Sequence, residues 1–163
     1  MSNFTIPGIN PNDAKKLIDA LQERLTDYND LHLILKHAHW NVVGENFIAV
    51  HEMLDPQVEL VRGFADELAE RIAALGGEPI GTPAGHVEGR TPLAYDLNRG
   101  TTQQHIAALN DVYTKVIEGV RDAQAEAGEI DAMTEDIYVG QSRELEQFQW
   151  FLRSHLQDEN GNI

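Results

Sequence analysis

Residues 47–77 read FIAVHEMLDPQVELVRGFADELAERIAALGG, and this stretch decides the fold. Phe47, Val50, Leu54, Val58, Val61, Ala65, Leu68, Ile72 and Leu75 recur at steps of three or four, the spacing that lines one face of an α-helix. The pattern predicts a helix of about eight turns, stopped by Gly76-Gly77. Pro56 lies inside it, removes one backbone donor and is expected to kink the helix or split its first turns from the rest.

On the N-terminal side, Asn10-Pro11 with Asp13 in the first turn forms a helix start in both capping and dipole terms. Leu17, Leu21, Leu25, Tyr28, Leu31, Leu35 and Ala38 then give an apolar stripe, so a first helix is expected at about 11–39. On the C-terminal side, residues 76–100 are rich in Gly, Pro and Thr and lack a sustained period, although Thr91-Pro92 is expected to cap a short helix through Leu97. Ile106 to Ala123 and Met133 to Leu156 carry two more helical stripes, the first ending at Gly128. Strand signals are absent. Two short links and one of about 25 residues describe an all-α, ferritin-like four-helix bundle with one long crossover carrying a short helix. A single domain over 1–163 is expected, with 1–10 and 157–163 as tails.

With no cysteine among 163 residues, thiolate catalysis, disulfides and Cys-based metal sites are excluded, and any metal must sit on nitrogen and oxygen. A formal charge of -15 disfavours nonspecific binding to nucleic acid or anionic lipid and makes cations the natural partners. Solubility alone is the plainer account of that charge. No apolar run approaches a membrane span, and Met1 to Asn10 has neither a basic start nor an apolar centre, so a cytoplasmic location is expected.

The long second helix carries two chelating pairs at i, i+4, His51 with Asp55 and Asp66 with Glu70. Taken alone, such acidic pairs are usually solvated surface. Eleven residues separate Asp55 from Asp66, which at helical rise puts them about 16 Å apart yet within about 20° of the same direction. One chain cannot close both pairs on one site. A second copy of the helix, antiparallel across a two-fold axis near residues 60 and 61, sets His51 and Asp55 of one chain against Asp66 and Glu70 of the other. A dinuclear centre inside the bundle requires Glu-x-x-His on two helices, and no Glu-x-x-His occurs in this sequence.

Lys36-His37-Ala38-His39-Trp40-Asn41-Val42-Val43-Gly44, followed by Asn46 through Asp55, resembles the signature of the Dps family, the miniferritins. The resemblance continues through Asp66, Ala69-Glu70-Arg71, Leu75-Gly76-Gly77 and Phe148-Gln149-Trp150-Phe151, covers nearly the whole chain, and looks most similar to actinobacterial members. It implies a dodecameric hollow shell whose ferroxidase centres lie at two-fold interfaces, oxidise Fe(II) with hydrogen peroxide or oxygen, and deposit Fe(III) mineral inside. It further implies that His39, His51 and Asp55 come from one subunit and Asp66 and Glu70 from its neighbour. Mixed imidazole and carboxylate ligation suits Fe(II), with Zn, Mn or Co as competitors.

Other readings weighed on the same residues are a metal-dependent amide or ester hydrolase, a DNA-binding nucleoid protein and a purely structural bundle. Residues 1–13 contain no Lys or Arg and Gln157 to Ile163 no base, so no strong DNA association at physiological salt is expected, Lys15 and Lys16 being a thin basic feature. Trp40 is read as packing in preference to intercepting oxidising equivalents. His32, His37, His86, His105 and His155 are read as surface or core histidines. Glu126, Glu129, Asp131, Glu135 and Asp136 are read either as pore acids drawing Fe(II) inward or as ordinary turn acids.

Overall fold

A computed structural model of the chain describes residues 6–89, 93–157, 160 and 161. Helix α1 (Pro11–Asn41) is followed by β1 (Val42–Val43), α2 (Phe47–Ala74), α3 (Pro83–Gly89), β2 (Gly100–Thr101), α4 (Thr102–Gly128) and α5 (Ala132–His155). The four long helices pack as a bundle in which α1 lies along α2 and α4 along α5. The expected stripes are its core: Leu21, Leu31 and Leu35 of α1, Leu54, Leu68 and Ile72 of α2, Ile106 and Leu109 of α4 and Leu145 and Leu152 of α5 have no exposed surface.

Three of the four long helices, α1, α4 and α5, start with side chains that satisfy orphan backbone donors, whereas α2 starts at Asn46 without a side-chain cap. Asn10 accepts from the amides of Asn12 and Asp13, ahead of Pro11. Thr101 and Gln104 form a reciprocal capping box on α4, and the Asp131 carboxylate caps α5 through the amide of Thr134. At the end of α2, Gly76 takes φ +86, a left-handed conformation that a side chain disfavours.

Three details depart from the expectations. Helix α2 is not split at Pro56 but runs through it. Glu52, whose carbonyl loses its partner to the proline, is exposed beside Pro56, so water can serve that carbonyl while Val50, Leu54 and Val58 hold both halves against the core. The short helix of the crossover begins at Pro83, not after Thr91. Thr91 and Pro92 lie outside the described residues, and Leu93 to Leu97 is not helical. The same Thr-Pro start occurs at Thr82-Pro83, where Thr82 Oγ1 accepts from the amide of Gly85 and His86 Nε2 bonds Asp30 on α1 at 3.0 Å. Lastly, Val42 and Val43 pair with Gly100 and Thr101 as a two-residue parallel bridge, too short to show an alternating pattern in sequence. It clamps the returning crossover to the end of α1, and Thr102 Oγ1 donates to the Glu45 carbonyl beside it.

The middle of the bundle holds neutral pairs. Tyr28 donates to Gln141 Oε1 at 2.9 Å and Tyr113 to Gln57 Oε1 at 2.6 Å, all four buried. Gln141 reaches on to Glu67 at 2.9 Å. Phenol and amide partners fill the place where an internal metal centre needs carboxylates and imidazoles.

Candidate metal centre

His39 stands in the last turn of α1, where carbonyls lack helical partners, and His51 in the second turn of α2. The link through β1 folds these helices side by side, and the two imidazoles stack with centroids 3.6 Å apart and planes 22° apart. Each Nδ1 bonds the other residue's backbone carbonyl at 2.9 Å. A carbonyl only accepts, so both Nδ1 atoms carry a hydrogen, and in a neutral imidazole so bonded Nε2 keeps its lone pair. That tautomer is the one in which an imidazole can ligate a metal ion through Nε2. Phe47 backs the His51 ring at 5.0 Å.

Asp55, one turn beyond His51, places Oδ1 3.3 Å from His39 Nδ1 and 2.6 Å from Lys36 Nζ. The Lys36 hydrogen bond, helped by the Lys36 charge, holds the Asp55 carboxyl below the usual carboxylate range. The chain therefore brings His39, His51 and Asp55 together. Asp66 and Glu70 stand apart, exposed farther along α2, with no ion-pair partner among the described residues. Among those residues no three His, Asp or Glu side chains are arranged to hold a metal ion within one chain. Lys36 was missed in the sequence, although its position three residues before His39 places both on one helix face.

The remaining candidates sort differently from expectation in two places. Trp40 is 70% exposed and so is not packed within its own chain. Asp131 is not a free turn acid: it receives Arg71 Nη2 at 2.5 Å and the Thr134 hydroxyl at 2.6 Å, tying the α4–α5 turn to α2. His32 and His37 bond backbone carbonyls of Tyr28 and Leu97, His86 bonds Asp30, and His105 is buried.

The model of the ferritin-like domain matches residues 18–161. The chain is 52% identical over 163 residues to the DNA protection during starvation protein of Mycolicibacterium smegmatis, covering 100% of this chain and 89% of that one. Among solved structures it is similar to Mycobacterium smegmatis Dps in its tetragonal form, with a TM-score of 0.96, 52% identity and coverage of 100% of this chain and 99% of the other. It is likewise similar to DpsA14 from Streptomyces coelicolor, with a TM-score of 0.95, 55% identity and coverage of 99% and 96%.

Proposed function

This chain belongs to the Dps family of ferritin-like proteins, and on that premise we propose that it oxidises Fe(II) at centres shared between two subunits and stores the ferric product in a dodecameric shell. One observation carries this reading: α2 carries His51 and Asp55 at one end, with His39 of α1 stacked on His51, and farther along the same helix two carboxylates, Asp66 and Glu70, with no ion-pair partner among the described residues. Residue numbers 51 and 70, like 55 and 66, are symmetric about 60.5, so an antiparallel second copy brings each half to its complement. Exposed Ile48 lies on the same stripe, and Trp40 and Leu33 are exposed on neighbouring α1 at 70% and 56%. Apolar side chains left bare beside half a site suit burial against a second copy.

Iron is the substrate. Two Fe(II) ions each release one electron, hydrogen peroxide takes both with two protons, and two waters leave with no hydroxyl radical formed. Oxygen is the alternative oxidant. His39 and His51 offer Nε2, and the three carboxylates supply negative charge that favours the product Fe(III) over Fe(II). The overall charge of -15 favours cation entry and the mineral's retention. DNA association is not part of the proposal, because Lys15 and Lys16 are already bonded to Asp19 and Asp13 and residues 1–13 and 157–163 contain no Lys or Arg. No helix among the described residues is long and apolar enough to cross a membrane, and we place the shell in the cytoplasm, where it would limit oxidative damage.

Anaerobic addition of Fe(II) followed by peroxide tests this. Ferric absorbance should rise with one peroxide consumed per two Fe(II), in a particle of dodecamer mass that gains density as iron is added. Metal-dependent hydrolysis of amides or esters without any iron oxidation would favour the hydrolase instead.

A further inference from the structure

Tyr95 and His105 lie outside the proposed ligand set and are bonded to each other. Tyr95 belongs to the returning crossover, and its phenol oxygen sits 2.5 Å from His105 Nδ1. His105, in the first turns of α4, has no exposed surface. A Cβ placed on Gly100 would come within 3.2 Å of its Nε2, so the bridge strand closes tightly over the ring. Burial depresses the imidazole's affinity for a proton, while the backbone carbonyls of Asn41 and Asn98 oppose that shift. A neutral ring with its hydrogen on Nε2 leaves Nδ1 free to accept the phenol hydrogen.

None of the other three tyrosines has such a partner. Tyr28 and Tyr113 donate to glutamine carbonyls, which cannot take the proton away, and the buried Tyr138 hydroxyl bonds nothing among the described residues. The distinction matters because a phenol that loses an electron becomes a strong acid, so its oxidation is easy only where a base waits on the hydrogen bond. Helix α1 connects this pair to the iron ligands. His37 stands edge-on to Tyr95, ring centroids 6.2 Å apart, and bonds the Leu97 carbonyl at 2.8 Å. His39, two residues on, turns to the opposite flank toward α2. The pair and the proposed ligands thus flank one helix, whose diameter with side chains is roughly 10–12 Å.

We propose that Tyr95 is a one-electron donor to the iron centre, its proton passing to Nδ1 of His105 as the electron leaves. The inference rests on the iron-oxidising reading above. It answers a mismatch of number, since peroxide takes two electrons and a centre holding one Fe(II) supplies one. With Tyr95 giving the second, Fe(II), peroxide, the phenol and two protons from solvent yield Fe(III), two waters, a phenoxyl radical and the His105 imidazolium. The next Fe(II) to arrive reduces the radical, and the proton returns from Nδ1 to the phenol oxygen. A half-filled centre then consumes peroxide without releasing hydroxyl radical.

Rapid freeze-quench electron paramagnetic resonance on the assembled protein, loaded anaerobically with one Fe(II) per centre and mixed with peroxide, tests this. A tyrosyl signal should appear as Fe(III) forms. Tyr95→Phe, which removes only the hydroxyl, should lose that signal, release more spin-trapped hydroxyl radical, and still oxidise two Fe(II) per centre. A tyrosyl signal undiminished in Tyr95→Phe overturns the proposal, as does a radical on tryptophan alone or iron oxidation with no protein radical. If the wild type oxidises no iron, the functional reading fails. Photochemical one-electron oxidation of metal-free protein then decides the Tyr95 pair by itself: a tyrosyl radical lost in Tyr95→Phe supports it, and its persistence refutes it.

Discussion

Asp66→Ala should lower the rate of Fe(II) oxidation by at least the ten- to hundred-fold that follows disturbance of a metal ligand's surroundings, while the thermal midpoint of the protein hardly moves. The pairing of those outcomes is informative. Asp66 is exposed and makes no ion pair among the described residues, so its removal belongs with surface substitutions that change stability by no more than about 0.5 kcal/mol. A residue that does nothing for its own chain yet governs the reaction is acting on a ligand from elsewhere. His51→Ala should slow the reaction similarly but also cost about 1–2 kcal/mol of stability, because it breaks a partly buried hydrogen bond to the His39 carbonyl, removes His39's stacking partner and empties the contact with Phe47. Stopped-flow ferric absorbance and thermal melts on the same preparations check both. An Asp66→Ala protein with wild-type kinetics would remove that residue from the site.

Asp131→Ala should be the most destabilising of the acidic substitutions, by about 3 kcal/mol, combining a lost cap with an orphaned partner. Asp131 caps α5, accepts the Thr134 hydroxyl and receives Arg71 from α2, with the carboxylate and guanidinium only 13% and 15% exposed. Truncation leaves the Arg71 charge largely enclosed without its carboxylate. For a domain of this length the expected fall in Tm is about 6–12 °C. Burial alone would raise the Asp131 pKa, but bonds from the Thr134 hydroxyl, Arg71 and the Thr134 amide outweigh it and hold the carboxyl below its ordinary value. A depressed folded pKa contributes stability that is present above the unfolded value, about 3.9, and is lost as pH falls through the lower folded value. The difference in Tm between wild type and Asp131→Ala should therefore be full at pH 7 and shrink below about pH 4. A gap that persists unchanged at pH 3 would mean the carboxylate's charge contributes nothing.

What sequence alone made legible here follows the range over which each interaction acts. The stripes Leu17 to Ala38 and Phe47 to Leu75 were readable because burial along a helix repeats every three or four residues, and those side chains are the core. The spacing of His51 with Asp55 and of Asp66 with Glu70 along α2 was readable for the same reason. Contacts between distant segments leave no period. Arg71 with Asp131, His86 with Asp30 and the bridge of Val42 to Gly100 each join residues about 56 to 60 apart, and none was anticipated. Thr91-Pro92 and Thr82-Pro83 carry the same local start signal, and only packing of His86 onto α1 shows which one is used in the described structure. His39 was suggested by resemblance alone, because its pairing with His51 depends on how two helices meet.

The division of each iron pocket between two chains can be tested by subunit mixing. One protein would carry His51→Ala with Asp55→Ala and the other Asp66→Ala with Glu70→Ala; each alone should be nearly inactive. Unfolded together in equal amounts and refolded, they should recover about a quarter of wild-type ferroxidation, since random pairing makes half the dimers mixed and each mixed dimer rebuilds one of its two pockets. A refolded mixture of native mass that stays as inactive as its components would contradict the shared pocket.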